Sequence, residues 1–147
     1  MNEPFIIPFL EAFMAAVQDE EVERNENLLA LIGNAIYPAR PDDPTAKFVV
    51  IDYPFGGRGP AYVHGEDGDA VAHWMRLQAS TWAPDKRDSL LVADALIQAI
   101  DGRDIVVSEA WGSVRLFMRG SPWTREEVVS EVTMYGAGAR YEILLLS

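Results

Sequence analysis

The chain has 147 residues, 49% of them hydrophobic, and no cysteine. That length supports a single domain spanning 1–147 with its own core, and the missing thiols exclude disulfide staples and thiolate metal sites. Net charge is −11, from 12 Lys+Arg against 23 Asp+Glu, which argues against tight binding to a nucleic-acid backbone, a task that needs clustered cations.

The first stretch, MNEPFIIPFLEAF, is apolar but carries two prolines, two acids and no basic leader, so it does not read as a signal peptide. No apolar run approaches the ~20 residues that span a bilayer. The chain reads as a soluble cytoplasmic protein. Pro4 to Gln18 forms a helix, its regular part starting near Ile7 because Pro8 is tolerated only in the first turn. An acidic run follows, Asp19 to Glu26, then a short helix over Asn27 to Ile32 closed by Gly33. A proline-marked loop leads from Ile36-Tyr37-Pro38 to a strand at Lys47 to Tyr53, whose centre FVVI is β-branched and aromatic. Next comes PFGGRGPAYVHGEDGD, rich in turn residues, with room for a short strand at Ala61-Tyr62-Val63. We read it as a long hairpin excursion, and a long connection in a domain is commonly functional.

The clearest signal runs from Ala70 to Asp101. Val71, His73, Met75, Leu77, Ala79 and Thr81 alternate with Ala72, Trp74, Arg76, Gln78, Ser80 and Trp82, a period of two that marks a strand with one face on the core. Trp74, Arg76, Gln78 and Trp82 share the outward face. Pro84 suits the first helical position, Asp85 and Asp88 suit the first turn, and Leu90, Ala93, Ile97 and Ile100, widened by Leu91 and Leu96, predict the buried stripe of a helix. Asp101-Gly102 ends it. Strands follow at Arg103 to Glu109 and Gly112 to Gly120. Thr124 to Glu127 matches a capping box, which permits a helical turn over Glu126 to Val132; an extended arm is the competing reading and the preferred one. Gly136 and Gly138 break that segment, and Ala139 to Leu146 is the last strand, with Tyr141, Ile143 and Leu145 inward. The expected fold is α+β: an antiparallel-dominated β-sheet with two main helices packed on one face, and a long glycine-rich hairpin loop.

Chemistry-bearing constellations are few. His64, Glu66, Asp67, Asp69 and His73 crowd together, but their spacing fits no ligand signature; a small metal-dependent enzyme is the alternative of another class. Gly56 to Gly59, GGRG, lacks the Lys-Ser/Thr ending and the following helix of a phosphate loop. There is no nucleophile elbow. No catalytic residue, metal ligand or cofactor is expected.

Taken together, the Ile36-Tyr37-Pro38 segment before the first strand, the central strand with Arg76, Gln78, Trp82 and Ala83, the helix from Leu90 to Ile100 and the closing YEILLL resemble the tail terminator, or tail completion and head-to-tail joining, proteins of long-tailed bacteriophages. The sequence departs from that pattern at Ser121 to Gly138, which is longer. The resemblance implies a non-enzymatic virion protein: a hexameric ring that caps the tail tube, ends tail growth and joins the tail to the head connector. Its implied partners are copies of itself, the major tail tube protein and the head–tail connector or stopper. DNA passes through without specific binding, and no membrane is involved. A head-completion or stopper protein is the alternative. The implied place is the head–tail junction of the virion tail, assembled in the host cytoplasm. Within this reading Trp74, Arg76, Gln78 and Trp82 are expected at the subunit interface, and Phe55, Arg58, Tyr62 and His64 in a loop that touches tail or connector. Asp19, Glu20, Glu21 and Glu23 are candidates for an acidic lumen that repels phosphate.

Overall fold

A computed structural model describes residues 6–38, 47–52, 61–64, 70–129 and 131–145, with backbone alone at 6, 52, 61–64, 70–76, 119–122, 129 and 145. The chain opens with helix α1, Ile6–Val17. Phe9, Phe13 and Val17 recur at four-residue steps and are fully buried, the spacing that stacks side chains on one helix face. Pro8 is the third residue of α1, within the first turn where no intrahelical donor is lost. A 3-10 turn at Glu23–Asn25 leads into α2, Glu26–Ile32, closed by Gly33 at φ 60°.

Seven strands then build one sheet: β1 Ile36–Tyr37, β2 Phe48–Asp52, β3 Ala61–His64, β4 Ala70–Ala83, β5 Asp104–Ser108, β6 Gly112–Val129 and β7 Val132–Leu145. Their order is β1-β2-β4-β7-β6-β5, with β3 also beside β4. β1 and β2 are parallel and every other pair is antiparallel. β2 covers the C-terminal half of β4 (Phe48↔Trp82 to Asp52↔Gln78) and β3 its N-terminal half (Ala61↔Trp74 to His64↔Ala70). The short strand expected inside the glycine-rich excursion is therefore β3; 53–60 and 65–69 lie outside the described residues.

Helix α3, Lys86–Ile100, follows β4. Its N-cap is Asp85, whose carboxylate accepts from the Asp88 N–H at 3.2 Å, so Pro84 sits before the cap and not at the first helical position. Gly102, at φ 71°, ends the helix in the left-handed conformation that glycine adopts without strain. The buried stripe is Ser89, Val92, Ala95, Leu96, Ala99 and Ile100, whereas Leu90 and Leu91 are exposed and Ala93 and Ile97 half-buried. The stripe is thus turned from the one expected. Small residues face the sheet, which lets the helix approach β4 and β7, and the leucines flank that contact. The Thr81 hydroxyl, fully inside, bonds the carbonyls of Ser89 and Ala137, both at 3.0 Å, and so ties α3 to two strands.

Helices α1, α2 and α3 lie on one face of the sheet. Phe9, Phe13, Leu28, Val92 and Leu96 meet Val49, Ile51, Leu77, Ala79, Leu116, Tyr141 and Ile143 in one core. The expected α+β architecture, antiparallel-dominated with helices on one face, is the architecture observed. In the C-terminal part the preferred reading holds, and only the expected break at the two glycines does not. There is no helical turn after the capping-box sequence: β6 and β7 run as one long hairpin that pairs out to Val129↔Val132, interrupted by a register shift between Arg119 and Trp123, with Glu131 at φ 68° in its tip. This is the extended arm. Gly136 and Gly138 do not break it. They lie inside β7, for a reason found on the opposite face of the sheet.

Candidate functional site

The register defines what lies on the helix-free face. Side chains directly opposite each other in an antiparallel ladder share a face, so rows can be followed across strands. One row runs Phe48–Trp82–Gly136–Arg125 and the next Val50–Ser80–Gly138–Trp123. Further rows place Gln78 beside Arg140, Arg76 beside Glu142 and Trp74 beside Leu144, with Arg115 beside Asp104 on the β5 side. The alternation therefore assigned Gln78 and Trp82 to a common face correctly, and among the described residues that face carries no helix.

Trp82 is nevertheless not available to another subunit. It is 2% exposed, in a second small core with Phe48, Val50 and Met134, and its indole N–H donates to the Ser80 hydroxyl at 3.1 Å. The expectation that Trp82 stands outward at an interface is corrected: neighbouring strands of its own chain enclose it. The enclosure depends on β7. A Cβ at Gly136 would fall 2.7 Å from the Trp82 ring, and one at Gly138 would fall 2.2 Å from the Trp123 ring. These glycines have no side chain because indoles occupy the space, a pairing that recovers the packing a strand glycine lacks. The Arg125 guanidinium completes the patch at 5.3 Å from both the Trp82 and Trp123 ring centroids, within cation–π range, and pairs with Glu127 at 3.4 Å. Sequence reasoning did not find Trp123 or Arg125. The signal was present in the Gly-x-Gly spacing of 136–138 opposite two tryptophans, but it needs the register to be read.

Beyond the patch, the described residues of this face are more exposed. Gln78 is half-buried, Val106 on β5 is 73% exposed, and Phe117 on β6, opposite Glu142, is exposed as well. Arg115 makes a two-point contact with Asp104, at 2.5 and 3.0 Å, and this holds the Asp104 carboxyl below its usual pKa. For Trp74 and Arg76 the structure gives the register position alone.

The acidic run forms a fixed corner on the helical side. Asn25 is fully buried and donates to the carbonyls of Ala16 (2.6 Å) and Asp19 (3.0 Å). Arg103 reaches the Asn25 side-chain oxygen (2.9 Å) and the carbonyls of Ala99 (3.1 Å) and Ala16 (3.0 Å). Arg24 donates to the carbonyls of Gln98 (3.0 Å) and Asp101 (2.5 Å). Two arginines and an asparagine thus satisfy the carbonyls that the ends of α1 and α3 leave without helical partners. Burial, with Arg24 adding to it, lowers the Arg103 pKa. The corner holds Asp19, Glu20, Glu21 and Glu23 exposed.

Phe55 and Arg58 lie outside the described residues, and Tyr62 and His64 are placed only as backbone of β3. Of the imagined metal cluster, Glu66, Asp67 and Asp69 also lie outside them. Among the described residues no group of three or more His, Asp or Glu could hold a metal ion, and no helix is long and apolar enough to cross a membrane. Tyr141 is buried with its hydroxyl unpaired among the described residues, and burial, with the nearby Asp101 carboxylate, pushes its pKa up. A phenol so enclosed is a packing group.

Among solved structures, the chain is similar to a chain of the virion of a native gene transfer agent particle. The match covers 92% of this chain and 96% of that one, at 21% identity and a TM-score of 0.63. It shows a shared fold over essentially the whole of both chains. No protein-family model and no curated protein matches the sequence.

Proposed function

We propose that this protein is a structural component of a bacteriophage-like virion, and within it the ring that terminates the tail and joins it to the head connector. The observation that supports this is the whole-length similarity in fold to a chain of a gene transfer agent virion. The finer assignment rests on the sequence resemblance to tail terminators. In this reading the protein has no catalytic role. Copies associate head-to-tail through a heterologous contact that closes into a ring, expected to be six-membered. Trp74, Arg76 and Gln78, on the helix-free face, belong to the contact between copies, and Trp82 supports that face from inside. The loop with Phe55, Arg58, Tyr62 and His64 reaches the tail tube or connector. Asp19, Glu20, Glu21 and Glu23 line the hole, where carboxylates repel the phosphates of passing DNA.

The test is electron microscopy of particles made with this reading frame stopped at its start. Overlong tail tubes beside DNA-filled, tailless heads are expected. Tails of normal length beside heads that have lost their DNA would place the protein on the head side as a stopper. Particles indistinguishable from wild type would remove it from the virion. For the lumen, replacing Glu20, Glu21 and Glu23 by Lys slows DNA exit and leaves ring formation intact; unchanged exit takes the corner out of the hole.

A further inference from the structure

We propose that residues 123–129 of β6 form a strap that opens and closes over the edge of β7, hinged at the bulge before Trp123 and fastened by Arg125 between two tryptophans. The proposal concerns the segment where the sequence departs from the terminator pattern, and it stands whether or not the tail-ring reading holds.

Three observations carry it. First, among the described residues, 123–129 pair with a strand on one side only. β5 pairs with β6 from Asp104↔Arg115 to Ser108↔Gly112 and no further. Gly102 and Arg103 bond Leu116, and Asp101 takes the Met118 N–H. Beyond that point no other strand pairs with the outer edge of β6 among the described residues, so the segment hangs on the ladder from Trp123↔Gly138 to Val129↔Val132. Second, that ladder is separated from the rest of the hairpin. The register shifts between Arg119 and Trp123: the pairs Arg119↔Arg140 and Trp123↔Gly138 leave Ala139 alone facing residues 120–122. This bulge contains Gly120 and Pro122, and proline has no N–H to give to a ladder. Meanwhile β7 stays paired to β4 out to Ala83↔Tyr135, so the strap can leave without disturbing the central strands. Third, a specific fastening exists. Arg125 lies 5.3 Å from the Trp82 ring on β4 and from the Trp123 ring on the strap itself. It therefore bridges the strap to a strand two places away, over glycines that leave the route clear.

Segments with one-sided pairing and a small apolar footing open at lower free energy than the body of a domain. The apolar footing here is the small cluster of Phe48, Val50, Trp82 and Met134, apart from the main core. Opening bares the β7 edge and the Trp82 patch together.

Amide hydrogen exchange on the full chain tests this, comparing β7-bonded amides of 123–129 with those of 114–117. The outer set is expected to exchange at least about tenfold faster, as local rather than global opening allows. Arg125→Ala should speed the outer set about another twofold to fivefold, the loss of the one cation–π contact that spans from the strap to β4, and leave the inner set unchanged. Since the chain has no cysteine, a lock is simple to build: Thr124→Cys with Ala137→Cys, which sit directly opposite. Oxidised, the pair should protect the outer amides, and reductant should release them. Equal exchange in the two halves of the wild-type hairpin overturns the proposal, as does a uniform rise across the chain in Arg125→Ala. Should that variant not fold, identical outer exchange in the oxidised and reduced cysteine pair overturns it equally.

Discussion

The two faces of the sheet solve one problem by different means. On the helical face, strands and helices each contribute a stripe: Phe9 and Phe13 from α1, Leu28 from α2, Val92 and Leu96 from α3, against Leu77, Tyr141 and Ile143. A second layer supplies the bulk, which is how a sheet usually buries an apolar face. On the other face, among the described residues, no helix covers the strands. The bulk must come from within the sheet, and it comes from indoles on β4 and β6 leaning over glycines of β7. Only one end is sealed in this way. Elsewhere among the described residues it carries Arg115 beside Asp104, Phe117 opposite Glu142, and Arg140, with Val106 and Phe117 exposed. A face built with one closed end and one open end suits contact with another molecule, the use that the proposed ring makes of it.

The comparison predicts unequal costs. Leu77→Ala removes a fully buried side chain at the centre of the helical-face core and is expected to cost about 3–5 kcal/mol of unfolding free energy, since a large-to-small change leaves a cavity the surroundings cannot close. Urea unfolding followed by far-ultraviolet circular dichroism measures it; a loss below about 1 kcal/mol would mean that this core is no better packed than the strap. Gly138→Ala probes the other face by overpacking. Its Cβ would fall 2.2 Å from the Trp123 ring, and the expected cost is about 1–3 kcal/mol. Adding Trp123→Ala should then recover part of the loss, so the two changes are non-additive in the stabilising sense. If the double variant is as unstable as the sum of the singles, the indole is not what keeps residue 138 a glycine.

The same contrast explains what was legible in the sequence. The helical-face core was readable because a single element announces it: four-residue steps in α1, alternation in β4, a cap and a glycine around α3. The face shared by Gln78 and Trp82 was readable for the same reason. Where two faces of α3 are similarly apolar, periodicity could not choose, and the choice fell to small residues, Ser89, Ala95 and Ala99, that permit close approach to the sheet. The second cluster was not legible. Trp82 looks outward from its own strand and is enclosed only because Phe48, Met134 and the Arg125–Trp123 pair arrive from elsewhere in the chain. Glycines in a strand read locally as breaks; that Gly136 and Gly138 lie under indoles is a property of register. The acidic corner was visible as composition, but not its anchoring, because Arg24 and Arg103 reach carbonyls of two helices that local sequence does not bring together.

The smallest effect expected belongs to the open end of the helix-free face, where Arg115 holds Asp104. Both side chains are well exposed, so solvent and salt screen the pair and its contribution is minor. Its sign is nevertheless fixed. The hydrogen bond from Arg115 lowers the Asp104 pKa in the folded protein, so the folded state binds that proton less readily than the unfolded chain, whose carboxyl titrates near an ordinary value of about 3.9. The stabilisation is therefore present in full above that value and is lost as pH falls through the lower folded value. Asp104→Asn removes it. The gap between wild-type and variant urea midpoints should be widest near neutral pH, narrow as the solution is acidified below about pH 4, and shrink at about 1 M salt. A gap that persists unchanged into acid would show that Asp104 acts through strand packing, and the open end of this face would then resemble the sealed end more than its charges suggest.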